Sequence, residues 1–388
     1  MAAALNPVLN DAVGHARIVG AVVLVAQGGQ VLYRQAVGYA DREARIPMQP
    51  GSVFRLASMS KPIVTAAAMR LVEQGKLNLD APVTQYLPDF RPRLAAADAS
   101  GHPPSITVHQ LVTHTSGLGY GFTEGPDGVY ARLGISDGLD NTPISLPDNL
   151  HRLAQAPLYF APGSQWRYSL GIDVLGAVIA KASGDSLPQT VRRLVTQPLH
   201  MKHTQFVASR HQPLATPYAD GKPPLRMTSN MDVPLPPEIG VAVRFAPERA
   251  FNAKAFPSGG AGMLGTADDY LKLLESIRTS AVGEKGEHRL LQPATVARMV
   301  RDHVGPQAQT QGPGWGFGYG WAVLVDPAAS GTPQSAGSLQ WGGAYGHNWF
   351  VDPDKQLSVI LLTNTAFEGM SGALVAQVRD AVYAGLGE

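Results

Sequence analysis

The sequence predicts an α/β protein with a second, mainly helical lobe, built on a mostly antiparallel sheet whose strands come from both ends of the chain. Three observations carry this expectation. Strand-like runs open and close the sequence, helical patches broken by prolines and glycines fill its middle, and an alanine-rich helix follows the first hairpin. At 388 residues the chain exceeds the usual single small domain, so two lobes or one large domain are expected. With 44% hydrophobic and 16% charged residues the composition is globular rather than disordered.

The elements follow in order. Val19 to Ala26 is an apolar run, Gln27-Gly28-Gly29-Gln30 carries a turn signal, and Val31 to Tyr39 completes a predicted hairpin. Ser58 to Gln74 reads as a helix that stops at Gly75, a residue suited to the position just past a helix end. Pro62 lies inside this run. Proline is tolerated only in the first turn, where its missing N–H has no partner to lose, so the helix must start near Ser58. The middle is predicted to hold helices over Ile106 to His114, Leu146 to Gln155, Ile172 to Lys181 and Thr190 to Thr196, then over Thr266 to Arg278 and Pro293 to Arg301. Strands are predicted over Gly318 to Val325, Ser338 to Trp341, His347 to Asp352 and Leu357 to Thr363, with a last helix from about Ser371 to Ala384. The N-terminal hairpin is expected to pair with the late strands. Residues 1–82 and 227–388 would form the α/β domain, 83–226 the mainly helical one, with the active site in the cleft between them.

Several classes of function are disfavoured. Lysine plus arginine (31) nearly cancels aspartate plus glutamate (30), and no run of five like charges occurs, so no nucleic-acid or anionic-membrane partner is expected. The absence of cysteine excludes disulfides, thiolate catalysis and cysteine-ligated metals. Met1 to Asn10 carries no basic-then-apolar leader and no apolar stretch reaches 18 residues, so a cytoplasmic location is expected. No histidine cluster has ligand spacing with an acidic residue, so no metal and no cofactor are expected.

The chemistry centres on Ser58-Met59-Ser60-Lys61. Ser-x-x-Lys at a helix start puts hydroxyl and amine one turn apart on the same face. A lysine whose pKa is lowered by burial or positive potential can accept the serine proton, and serine needs such a neighbour to become a nucleophile. The motif alone arises often by chance at solvated helix starts. Here Lys61 sits between Met59 and the apolar Ile63-Val64, and Phe54-Arg55-Leu56-Ala57 leads an apolar strand-like segment into the serine.

Other segments follow this one in order. They are Leu77 to Val83, Leu111-Val112-Thr113-His114-Thr115-Ser116-Gly117-Leu118, Phe160-Ala161-Pro162-Gly163, Tyr168-Ser169-Leu170, Ser258 to Met263 with Thr266 to Asp269, and Trp341-Gly342-Gly343. Together they resemble the penicillin-recognising serine hydrolases related to class C β-lactamases, over roughly residues 15 to 385. The resemblance implies the β-lactamase/transpeptidase-like fold. It implies that Ser58 is acylated, that Lys61 shares or accepts its proton, and that Tyr168 acts with the lysine as acid and base. Such a tyrosine would need a pKa well below the usual value of about 10. Trp341-Gly342-Gly343 takes the place of Lys-Thr-Gly, so the Ala344 and Ser58 N–H groups would form the oxyanion hole, each donor typically worth about 3 kcal/mol.

Two departures redirect the reading. Leu170 replaces an asparagine whose amide could bind a β-lactam's acylamino group, and Trp341 replaces a lysine that could pair with its carboxylate. The resulting uncharged pocket suits neutral esters. The combination resembles the family VIII carboxylesterases, which implies hydrolysis of short-chain esters through an acyl-Ser58 intermediate. Acyltransferase and weak β-lactamase or cephalosporin-esterase activity would be side reactions. Trp341, Gly342, Gly343, Tyr120, Leu170 and His347 are the expected pocket residues.

Rival readings were weighed. Gly134-Ile135-Ser136-Asp137-Gly138 fits Gly-x-Ser-x-Gly, but its flanks make a poor strand and a poor helix start, so Ser136 is expected in a loop. His114 is expected to bond backbone. Trp315, Phe317, Tyr319 and Trp321 alternate at period two, as a buried sheet face would, and could line an acyl pocket. A β-lactamase or D-aminopeptidase of the same fold is the alternative enzyme. A non-catalytic binding protein is disfavoured because serine, lysine and tyrosine are all present.

Overall fold

The computed structural model describes residues 1–94, 105–209, 212–281 and 289–387. Its frame is an eight-stranded antiparallel sheet. The strands are β1 (Gly20–Gln27), β2 (Gln30–Asp41), β3 (Ile46–Pro47), β4 (Trp315–Phe317), β5 (Ala322–Leu324), β6 (Leu339–Gly343), β7 (His347–Asp352) and β8 (Leu357–Thr363). Their spatial order is β4-β5-β6-β7-β8-β1-β2-β3, so the N-terminal hairpin joins the C-terminal strands through β8 and β1. That pairing sets Leu24 opposite Ile360 and Val22 opposite Leu362.

The five longest helices are α1 (Ala2–Gly14), α2 (Ser60–Glu73), α3 (Gly171–Ser183), α4 (Ala267–Ala281) and α5 (Ala373–Leu386). The central strands are apolar without alternation because both faces of the sheet are covered. Val23 and Val25 pack with Leu5 and Leu9 of α1 and with Val378 and Val382 of α5. Val22 and Leu24 face the other way, into the core shared with α2, α3 and α4. Among the described residues no helix is long and apolar enough to cross a membrane.

Two segments differ from expectation. Gly318 to Val325 is not one strand: β4 and β5 form a hairpin with Phe317 opposite Ala322, and the chain turns through Tyr319-Gly320. The period-two aromatics therefore straddle a turn, although Trp315, Phe317, Tyr319 and Trp321 are all buried. Helix α1 was not anticipated. Its apolar positions Leu5, Leu9 and Ala12 follow helical spacing, but they become informative only once a sheet face exists for them to cover.

Leu24 has no exposed surface. Leu24→Ala is expected to cost about 2–5 kcal/mol, read by urea denaturation; a loss under about 1 kcal/mol would contradict burial on both faces of the sheet.

Candidate active site

Ser58 stands in a single 3₁₀ turn, Ala57–Met59, that runs directly into α2. Pro62 falls in the first turn of that helix, as its chemistry requires. The segment before the serine is clamped. Phe54–Arg55 pairs antiparallel with Leu264–Gly265, and the Leu56 N–H donates to the Met263 carbonyl at 2.9 Å. Ala57 is held at φ +45°, a left-handed conformation that costs energy for a residue with a Cβ. The strain sits immediately before Ser58, where the chain reverses from strand into helix.

Lys61 is completely buried. Its amine donates to Ser58 Oγ at 3.1 Å and to the Gly260 carbonyl at 2.9 Å. Burial pushes this lysine down to about 7, opposed by the Asp173 and then the Asp137 carboxylates. Its Nζ lies 4.5 Å from the centre of the Tyr168 ring and 5.3 Å from that of Tyr120.

The Tyr168 hydroxyl donates to Ser58 Oγ at 2.6 Å. Its acidity runs opposite to the sequence expectation. Burial pushes the phenol above its usual value, and hydrogen bonding with Ser58, Trp341 and Tyr120 offsets only part of that shift. Tyr168 is therefore a neutral phenol in the resting site.

An aromatic cage surrounds these groups. Tyr120 stacks on Phe122 at 4.7 Å and lies 5.0 Å from Tyr168, while Trp341 lies 5.3 Å from Tyr168. Phe317 of β4 packs edge-on to Trp341 at 5.2 Å. Trp341 and Gly343 belong to β6. A Cβ on Gly343 would sit 2.3 Å from the Leu56 carbonyl, so only glycine lets this strand approach the nucleophile turn. Ala344 lies just beyond the β6–β7 ladder, which leaves its N–H out of sheet pairing, and it packs beside Ala57 and its neighbours.

Two expected pocket residues have no exposed surface. Leu170 is fully buried in the core at the start of α3, where an apolar side chain finds apolar neighbours. His347 is fully buried behind β6, with Nε2 2.8 Å from the Arg55 carbonyl and its ring edge-on to Phe54. Desolvation pushes that imidazole down to about 4, so it stays neutral. His114 is likewise buried; it bonds Ser169 rather than backbone, with Nδ1 3.1 Å from the Ser169 hydroxyl. Ser136 is buried, donates to Asp140 at 2.6 Å, and sits in a loop.

Sequence reasoning missed a second layer. Asp173 is a buried carboxylate on α3, accepting from the Ser258 hydroxyl at 2.6 Å. It packs directly on Gly260, where a Cβ would come within 2.4 Å of Oδ2. That contact backs the carbonyl which holds Lys61. Asp137 accepts the Gly121 and Phe122 N–H groups, each at 3.0 Å, and so fixes the segment carrying Tyr120. A lone aspartate in the otherwise apolar run Gly171-Ile172-Asp173-Val174-Leu175 was the available signal.

Because the Asp173 charge supports the protonated amine, Asp173→Asn is expected to move the Lys61 pKa further below 7. An NMR titration of ¹³C-labelled lysine checks this; an unmoved or raised value would contradict it.

Comparison with known proteins agrees with this geometry. The family profile described as Beta-lactamase matches residues 5–384. The chain is 56% identical over 386 residues to Esterase EstB of Burkholderia gladioli, covering 99% of this chain and 95% of that protein. Among solved structures it is similar to EstCE1, a hydrolase with promiscuous acyltransferase activity, with a TM-score of 0.94, 50% identity and 98% of each chain covered. Simvastatin synthase from Aspergillus terreus shares the fold, at a TM-score of 0.75 and 23% identity over 98% of this chain and 96% of that one. The chain belongs to the β-lactamase family.

Proposed function

We propose that this protein is a serine carboxylesterase of the family VIII type, hydrolysing short-chain esters through an acyl-Ser58 intermediate. One observation carries the reading. Ser58 Oγ receives hydrogen bonds from both the Lys61 amine and the Tyr168 phenol, inside a pocket walled by uncharged aromatic side chains. The likeness to an esterase over nearly the whole chain supports it.

The chemistry runs in two halves. Ser58 Oγ attacks the ester carbonyl carbon and its proton passes to Lys61, the resting base. The carbonyl electrons move onto oxygen, where the Ser58 and Ala344 N–H groups stabilise the oxyanion. Collapse expels the alkoxide, Tyr168 gives it a proton, and the lysine ammonium restores the phenol. Water then attacks the acyl-enzyme by the reverse proton path and releases the acid. An alcohol in place of water gives acyl transfer, the side activity named for EstCE1. The substrate is a small neutral ester, since Trp341 stands where a cation would otherwise hold an anionic group. In this proposal an α/β lobe (1–82 and 227–388) supplies Ser58 and Trp341, a helical lobe (83–226) supplies Tyr120 and Tyr168, and the site lies between them.

On p-nitrophenyl butyrate, Ser58→Ala should abolish turnover and Ser136→Ala should retain it; full activity in Ser58→Ala would sink the mechanism. Lys61→Ala and Tyr168→Phe should each lose at least about a hundredfold in kcat. Since the base must be uncharged and its pKa is about 7, kcat/KM should rise with pH through that value and fall below it. Nitrocefin or D-amino-amide turnover rivalling that of the ester would instead favour a β-lactamase or D-aminopeptidase.

A further inference from the structure

A cavity of about 110 Å³ lies behind the nucleophile turn, among Arg55, Arg249, Tyr345, Leu139, Phe256 and Met263. In this measure a water needs roughly 10–15 Å³, so there is room for a small polyatomic ion with accompanying water. The exposed Val207 and Ala253 lie at its rim and open it to solvent.

Carboxylates act on the lining arginines from outside the cavity, Glu248 on Arg55 and Asp140 and Asp173 on Arg249. No carboxylate lines the cavity, and among the described residues none forms an ion pair with Arg55 or Arg249. Among the described residues both guanidiniums donate to neutral carbonyls, and Arg249 also lies over the Phe256 ring at 4.6 Å. Arg55 donates to the Pro247 oxygen from Nε and Nη2 and to that of Ala215 from Nη1; Arg249 donates to those of Asp140 and Phe256. With five N–H donors each, both keep donors in reserve. Both arginines are half-buried, and an anion at ion-pair distance would offset the cost of desolvating them.

The third group is the Tyr345 hydroxyl. Tyr345 is 5% exposed, and its ring packs on Phe245 at 4.7 Å and near the Arg55 guanidinium at 6.0 Å. Tyr345 lines the cavity, and its hydroxyl has no hydrogen-bond partner among the described residues. Both guanidiniums act on that phenol electrostatically, and the Glu248 carboxylate acts on it in the opposite sense. Two cations and a free hydroxyl donor thus converge on one enclosed space, the donor set that a carboxylate or another small oxyanion requires.

We propose that this cavity is a binding site for a small oxyanion, held by Arg55, Arg249 and the Tyr345 hydroxyl. The site is separate from the esterase reaction, because none of these three groups contacts Ser58, Lys61 or Tyr168 directly. Two sources share the chemistry: a short carboxylic acid and inorganic phosphate.

Calorimetric titration at constant ionic strength, with sodium acetate, sodium phosphate and a chloride control, tests the site. It is run on the wild-type protein and on Ser58→Ala, so that failure of the esterase reading does not affect the outcome. Saturable one-to-one binding of acetate or phosphate is expected in both proteins. Tyr345→Phe, which keeps the ring contacts, should weaken it at least about fivefold, and Arg249→Gln at least about tenfold. Tighter acetate binding identifies a carboxylic acid as the natural occupant, and tighter phosphate binding an inorganic oxyanion; both support the site. No saturable binding of either anion, or binding unchanged in Tyr345→Phe, would overturn the proposal. If Arg249→Gln does not fold, because two carbonyls lose their donor, Tyr345→Phe decides alone.

Discussion

Everything at the reaction centre depends on one buried amine. Lys61 has no exposed surface, and among the described residues its amine donates to Ser58 Oγ and the Gly260 carbonyl alone. A lysine in water stays protonated to a pH above 10 and cannot take a proton from serine at neutral pH. Removing water disfavours the ammonium and brings its pKa to about 7. Full burial alone could push it too far, leaving an amine too weak to act as a base. The Asp173 carboxylate pulls in the other direction, and the faces of Tyr168 and Tyr120 offer the remaining stabilisation that a cation needs there.

The fold serves that amine by holding the elements around it rigid. The Ala57–Met59 turn and helix α2 that follows it present Ser58 and Lys61 together, but the carbonyl that orients Lys61 comes from Gly260, 199 residues away. Asp173 braces that carbonyl, and Ser258 braces Asp173. On the other side, β6 closes against the Leu56 carbonyl through Gly343, the residue before Ala344. The pocket is thus framed by backbone fixed at the end of an inner strand and at a helix start, the setting in which N–H dipoles can stabilise an oxyanion without reorganising.

The same frame explains the choice of substrate. Trp341 packs against Tyr168 and Phe317, so the position that would carry a cation in a β-lactam-binding pocket carries a flat apolar wall instead. Leu170 withdraws into the core, and nothing at that position remains to bind an amide. The positive charge lies behind the site, in Arg55 and Arg249, each tied to backbone carbonyls away from the serine.

By itself the sequence determined what is local. Pro62 placed a helix start near Ser58, the three-residue spacing put Lys61 beside it, and the apolar runs at both chain ends announced a sheet closed by the N-terminal hairpin. Those features follow from helix and strand geometry over a few residues. Tertiary structure alone decided the rest. Tyr168 reaches Ser58 across 110 residues, and its phenol proved less acidic than the motif implied because acidity depends on burial, which no short segment encodes. His347 pairs with the Arg55 carbonyl, 292 residues away, and Arg55, Arg249 and Tyr345 meet around one cavity from three distant stretches of chain. Spacing fixes which side chains can share a face; packing fixes which of them lose water, and with it their charge.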